Sequence, residues 1–160
     1  MNDYKYFLDN GIYDIQDGKF EDAIEKINKS LELKKDWEIP YFYRAVAYQV
    51  LEKFDEAILD YTKALELNDK MTDAYYNRAK ILLIRKDIEN PDINRAVNDL
   101  EKAIELDPNF TEALYAMAAA QKKLENYKLA LEYLDKVIEL CSDHIHAKAL
   151  KKLILSKYMK

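Results

Sequence analysis

A pattern that returns about every 34 residues constrains this chain more than any other feature of its sequence. Four segments share a large apolar residue, two variable residues, an alanine and an aliphatic residue: they are residues 20–24, 54–58, 93–97 and 127–131. Their alanines are 34, 39 and 34 residues apart. A fixed period of about 20 to 50 residues is typical of supersecondary units that stack and bury their apolar faces against one another. The sequence therefore predicts four such units.

The scarcity of turn residues indicates that these units are helical. The 160 residues include only 2 Gly and 3 Pro, well below the usual share of the two together. Tight hairpins need turn glycines, and phosphate-binding loops need several glycines within a few residues. The composition therefore predicts an all-α fold and excludes the Walker and dinucleotide-binding motifs.

Three positions of the period carry small residues in almost every copy. The eighth position holds Gly11, Ala45, Ala79 and Ala118; the twentieth holds Ala23, Ala57, Ala96 and Ala130; the twenty-seventh holds Ser30, Ala64, Ala103 and Val137. Small side chains are expected where helices cross closely, since a larger one would push the backbones apart. Bulky residues recur at the fourth and twenty-fourth positions, where we expect them to fill the space between helices.

This arrangement resembles the tetratricopeptide repeat, a helical hairpin of about 34 residues. The resemblance implies a right-handed α-α superhelix, or solenoid, of four hairpins in a single domain, 1–160. The repeats are 4–37, 38–71, 72–110 and 111–144. Five extra residues lengthen the turn of the third repeat, with Asn90 as the expected N-cap and Pro91 as the first helical residue. At position seven the chain departs from the family's leucine and has Asn10, Arg44, Arg78 and Met117.

Residues 145–160 continue with helical periodicity and are predicted to form a capping helix. Its apolar stripe, expected to face the last repeat, is Ile145, Ala149, Leu150, Leu153 and Ile154. The segment also holds five lysines and no acidic residue, and we interpret these lysines as the solvated face of the cap. A basic amphipathic helix that docks on a membrane or on an acidic partner would have the same pattern.

Charge and cysteine content limit the partners and the compartment. The net charge is −5 and the sequence pI about 5.2, so the chain has no overall attraction for nucleic acid or anionic lipid. The chain has one cysteine and a polar N-terminal segment without an apolar run. We therefore expect a cytoplasmic protein with no nucleic-acid partner, and a membrane partner is disfavoured.

One cluster of chemically active residues stands out, Cys141, His144 and His146. A structural zinc ion takes four ligands, and the chain has no other cysteine or histidine. We interpret the cluster as a buried thiol at a helix end and two histidines in a turn. The sequence thus predicts no metal, no cofactor and no enzymatic activity.

In the tetratricopeptide family, the concave groove is lined by the first helix of each hairpin. Read at those positions, this chain is apolar and aromatic in its first half, and lysines enter toward the C-terminus. The candidate groove residues are Leu8, Ile12, Phe42, Tyr43, Val46, Tyr76, Asn77, Lys80, Tyr115, Lys122 and Lys123. An apolar stripe on the exposed face of stacked helices is typical of an interaction surface. We predict a peptide ligand with apolar anchors and an acidic end.

One type of ligand is disfavoured. Family members that hold the C-terminal carboxylates of chaperones do so with lysine, arginine and asparagine; the matching positions here are Leu8, Ile12, Tyr43, Asp73 and Asn77, none of them basic. The predicted function is a non-catalytic protein-interaction module or adaptor. The alternatives are a self-associating scaffold, hence a homo-oligomer, and a dedicated chaperone for one client protein.

Overall fold

The computed structural model describes residues 3–85 and 91–158. These residues form nine α-helices and no strand, which confirms the all-α prediction. The helices are α1 Asp3–Gln16, α2 Phe20–Leu33, α3 Glu38–Val50, α4 Phe54–Leu67, α5 Thr72–Ile84, α6 Pro91–Leu106, α7 Thr111–Lys123, α8 Tyr127–Leu140 and α9 Ile145–Lys157. Helix α6 begins at Pro91 as predicted, and the expected N-cap Asn90 lies outside the described residues.

The chain consists of two compact units, Met1–Ala74 and Tyr75–Lys160. The first contains the hairpins α1–α2 and α3–α4. The second contains α6 to α9 and all of α5 beyond its first turn. Within each repeat we call the first helix helix A and the second helix B.

The predicted small and bulky positions form the core of the hairpins. All twelve small-residue positions are buried. The bulky residues at position twenty-four are fully buried; they are Ile27, Tyr61, Leu100 and Leu134. A Cβ atom added to Gly11 would lie 2.7 Å from Ile27 Cγ1 and 3.2 Å from the carbonyl oxygen of Ala23. Helices α1 and α2 therefore approach so closely that glycine alone fits there.

The turn inside three hairpins contains one residue in the left-handed region. Gly18 has φ 77°, Glu52 has φ 57° and Glu125 has φ 63°. In each turn, the next backbone N–H donates to a carbonyl five residues earlier, as in Lys19 to Asp14 at 2.8 Å and Asn126 to Gln121 at 2.9 Å. This is the Schellman arrangement, which usually has glycine at the left-handed residue. Two glutamates occupy it here, at a steric cost of about 1 kcal/mol each.

Two of the four departures at position seven, Arg44 and Arg78, are explained by buried ion pairs between helices A and B. Arg44 donates from Nε and Nη2 to the carboxylate of Asp60 at 2.6 and 2.8 Å. Arg78 binds Asp99 in the same way at 2.8 and 2.7 Å. Burial acts to lower the pKa of Arg44, but the hydrogen bonds and charge of Asp60 outweigh it and raise the pKa above its ordinary value. Both guanidinium groups thus stay charged and tie their hairpins together.

Helix α9 packs on α8 through a different stripe from the predicted one. Ala147 and Ile154 are fully buried and Leu150 packs beside them, whereas Ile145 is 76% and Leu153 42% exposed. Ala149 is exposed as well. The prediction was wrong for these three residues because α9 contacts the rest of the unit along one narrow face, spaced i, i+3 and i+7. Cys141, expected to be buried, is exposed at the C-terminal end of α8.

Candidate peptide-binding surfaces

Leu8, a predicted groove residue, belongs to the core of the first unit. Its side chain is 2% exposed and lies in one cluster with Ile27 and Leu31, against which Trp37 and Tyr43 also pack. The expectation of an exposed anchor at Leu8 was wrong, because α1 and α3 contact each other and position five of α1 points into that contact.

The other candidate residues of the first unit are half-buried. The ring of Phe42 lies 5.4 Å from that of Tyr43 and 5.8 Å from that of Tyr61, edge to face in both cases. Ile12 packs against the same core cluster as Tyr43. Because these rings already have aromatic partners, they contribute packing to α3 and α4 as well as an apolar surface.

The second unit contains an open groove between α5, α7 and the residue before α9. Its volume is about 420 Å³, and its surface is mostly apolar. It is lined by Tyr76, Lys80, Leu83, Ile84, Glu112, Tyr115, Ala116, Ala119, Lys123 and His144. The structure thus brings together four predicted residues, namely Tyr76, Lys80, Tyr115 and Lys123. Asn77 and Lys122 do not line this groove.

The aromatic walls of the groove are held by neighbouring rings. The Tyr76 ring lies 5.0 Å from Phe110, and the Tyr115 ring lies 5.1 Å from His144. His144 is fixed in turn, since its Nδ1 accepts a hydrogen bond from the backbone N–H of Ala147 at 3.1 Å and so caps α9. A surface whose rings are already ordered loses little side-chain entropy when a ligand binds.

Charged groups lie at the edges of the groove. Lys123 donates from Nζ to the backbone carbonyl of Leu83 at 2.7 Å, so its ammonium group is engaged with the end of α5 and is not the open acid-binding group that we predicted. Lys80 is exposed and, within the described part of the chain, has no ion pair. Burial, and then the charge of Glu112, raise the pKa of Tyr76. Lys80 is therefore the cation open to a ligand, and Glu112 opposes any second carboxylate nearby.

Six lining residues were not among the candidates: Leu83, Ile84, Glu112, Ala116, Ala119 and His144. The three on α7 continue, with Lys123, the i, i+4, i+7 spacing of one helix face. That face was identifiable from the sequence. The position of His144 was not, because it depends on how the turn before α9 folds over Tyr115.

Within residues 3–85 and 91–158, no group of three or more His, Cys, Asp or Glu side chains could hold a metal ion. None of the described helices combines the length and the apolar content that crossing a membrane requires.

The family follows from sequence comparison. Two family models match, both described as tetratricopeptide repeat, over residues 40–71 and 87–154. Together they span more than half of the chain. The chain belongs to the tetratricopeptide repeat family, whose members are in general non-catalytic protein-interaction modules.

Individual relatives agree with this assignment. Human tetratricopeptide repeat protein 12 is 37% identical over 70 residues, which are 44% of this chain and 10% of that protein. The chain spans about a tenth of the length of the curated relatives it matches.

Solved structures share the fold. MamA from Desulfovibrio magneticus RS-1 superposes with a TM-score of 0.88 over 97% of this chain and 85% of its own, at 19% identity, and so shows the fold alone. The first TPR domain of Spaghetti (RPAP3), solved with an HSP90 peptide SRMEEVD, has a TM-score of 0.71 and 26% identity over 77% of this chain and 94% of its own.

Proposed function

We propose that this chain is a non-catalytic adaptor that binds a peptide segment of a partner protein in the groove between α5 and α7. The observation that carries this proposal is the groove: it is open, mostly apolar, and walled by two ordered tyrosines, Tyr76 and Tyr115. Concave apolar surfaces with a few placed polar groups are the usual form of a ligand site. The exposed thiol of Cys141, the one cysteine of the chain, suits the cytoplasm, where we place this adaptor.

The lining of the groove indicates the chemistry of the peptide. A volume of about 420 Å³ is enough for one or two large apolar side chains. Ala116 and Ala119 leave that space open, and Lys80 offers a partner to one carboxylate at the edge. The ligand that fits has an aromatic or aliphatic anchor close to a single acidic group.

The RPAP3 domain, which has a related fold, was solved with the HSP90 peptide SRMEEVD, and three of the seven residues of that peptide are acidic. The positions that would form a basic clamp here are Leu8, Ile12, Tyr43, Asp73 and Asn77, and they hold no lysine or arginine. We therefore propose apolar anchoring, with one charge contact, in place of a carboxylate clamp.

The experiment is a selection of peptides from a random phage library on the full chain, followed by fluorescence polarisation with the selected peptides. Ala119→Leu fills the groove and should weaken binding by about tenfold or more, as expected for the loss of an anchor of about 1.4 kcal/mol. Lys80→Glu should weaken the binding of acidic peptides by about tenfold and leave the binding of neutral peptides unchanged. Lys128→Glu is the matched control, since it makes the same charge change on α8, which does not line the groove.

Circular dichroism on each variant checks that the helices are intact. Selected peptides that bind Ala119→Leu as well as they bind the natural chain would place the site elsewhere and overturn the proposal.

A further inference from the structure

A second cleft lies at the C-terminal end of the second unit, between α8 and α9. Its volume is about 550 Å³, and it is lined by Ile138, Lys148, Lys151, Lys152, Leu155 and Ser156. The lining contains three ammonium groups and no carboxylate. Lys151 pairs with Asp135 of α8. Among the residues that the structure describes, Lys148 and Lys152 have no ion pair, so the cleft holds two open positive charges.

The register of α9 shows what this cleft corresponds to in the repeat. Helix α9 begins 34 residues after α7 and has the same length, 13 residues, so it occupies the register of a helix A. In the hairpins, positions seven and eight of helix A face helix B, as Arg44 faces Asp60 and Gly11 faces Ile27. On α9 these two positions are Lys151 and Lys152. The cleft therefore lies where a helix B would pack.

The side chains in the cleft restrict the chemistry of any helix that docks there. Position eight is glycine or alanine in the four hairpins, and the long side chain of Lys152 prevents such close apolar packing. Ile138 and Leu155 still offer apolar contacts, while the lysines require opposite charges. The pair Arg78–Asp99 shows that this fold already joins a basic helix A to an acidic helix B.

We propose that the cleft between α8 and α9 binds an amphipathic helix of a partner protein, whose contact face combines carboxylates with one or two apolar side chains. This site is separate from the groove between α5 and α7. A lipid surface fits less well, because the exposed apolar stripe of α9 that could enter a bilayer is formed by Ile145, Ala149 and Leu153, and none of these residues lines the cleft.

The probe that tests this proposal is a fluorescein-labelled helical peptide of about 20 residues, long enough to be partly helical alone, with glutamates and leucines on one face. A peptide of the same composition in scrambled order controls for charge, and vesicles of phosphatidylserine and phosphatidylcholine test for lipid. Fluorescence polarisation with the full chain should show binding of the ordered peptide and at least several-fold weaker binding of the scrambled one. Raising the salt from about 50 to 300 mM should weaken binding.

The double variant Lys148→Glu and Lys152→Glu should weaken binding of the unscrambled peptide by about tenfold or more, since two attractive charge contacts become repulsive. The control combines Lys35→Glu with Lys70→Glu; these are exposed lysines of the first unit, and the pair changes the net charge equally. Leu155→Asp is a second test variant that leaves all lysines in place and should also lose binding. Ala119→Leu should have no effect, so the two proposed sites succeed or fail separately.

Three results would each overturn the proposal. Equal binding of the scrambled peptide would mean that charge alone is responsible. Vesicle binding without peptide binding would assign the cleft to lipid. Unchanged peptide binding by the lysine double variant, with its helicity intact, would exclude this cleft.

Discussion

Replacing Arg44 by alanine should lower the free energy of unfolding by about 3 to 4 kcal/mol. Asp60 is 7% exposed, and its two carboxylate oxygens accept hydrogen bonds from Arg44 at 2.6 and 2.8 Å. Removing one partner of such a buried pair costs about 3 to 5 kcal/mol, because the other charge remains without compensation. The lower end of this range, about 3 kcal/mol, applies to the Arg44–Asp60 pair, since 19% of the Arg44 side chain is exposed to water.

Three further contacts of Arg44 add to this value. The Arg44 guanidinium lies 5.6 Å from the ring of Tyr41 and 5.9 Å from that of Tyr48, and it donates from Nη1 to Asn28 Oδ1 at 2.5 Å. Cation–π contacts of partly exposed groups contribute about 0.5 to 1 kcal/mol. A total of 3 to 4 kcal/mol corresponds to a fall of roughly 10 °C in the melting temperature of a chain of this size.

The assay is urea unfolding followed by the fluorescence of Trp37, the one tryptophan, which lies in the same unit as Arg44. Lys63→Ala is the control: it breaks the exposed Lys63–Glu66 pair on α4 and should cause no measurable change. Changing Arg44 and Asp60 together to leucine should restore stability to within about 1 kcal/mol of the natural chain, since well-packed apolar residues replace buried ion pairs at little cost. If Arg44→Ala has no larger effect than Lys63→Ala, or if the double variant is no better than the single one, the reasoning is refuted.

Three further predictions concern the helix crossing, the turn and the groove. Gly11→Ala should lower the free energy of unfolding by about 1 to 2 kcal/mol in urea titrations, despite better helix propensity, because its Cβ would lie 2.7 Å from Ile27 Cγ1; unchanged stability would show that the crossing relaxes. Glu125→Gly should raise stability by about 0.5 kcal/mol in thermal unfolding by relieving φ 63°, and a decrease would contradict a strained turn. Burial and Glu112 raise the pKa of Tyr76 above 10.0, so the folded state holds this proton more tightly than the unfolded chain. The stability of the natural chain relative to Tyr76→Phe should therefore be constant below about pH 10 and fall above it; thermal unfolding from pH 8 to 11 checks this, and parallel curves would contradict it.

The repeat pattern predicted the helices and their pairing, because the residue sizes at its positions are set by contacts within one repeat. Ala45 and Ala57 are small, and Tyr61 is large, for reasons that hold inside a single hairpin. The same relation recurs at each period and can be read from spacing alone. The left-handed residue of the turn could also have been found in this way, since Gly18, Glu52 and Glu125 occupy the same position in their repeats.

The contacts between the first helices of successive repeats could not be predicted from the repeat pattern. Leu8 and Tyr76 hold the same position of the repeat, yet Leu8 is buried by its contacts with the next helix A, whereas Tyr76 lines an open groove. Which outcome occurs depends on the size of the side chains that face each other across two helices. The small side chains of Ala116 and Ala119 leave space beside Tyr76. In the first unit, the larger Tyr43 fills the equivalent space beside Leu8.

Polar partners distant in the chain were equally inaccessible to sequence reasoning. From the sequence, Arg44 was only a departure from the family's leucine, and the structure shows that it binds Asp60. Lys123 was predicted to be a free cation, and the structure shows that it donates a hydrogen bond to the Leu83 carbonyl. Periodicity determines which residues face inward within a hairpin, because helix geometry is regular. Three-dimensional packing decides which charges are neutralised and which apolar faces stay open, since both depend on residues that no local pattern connects.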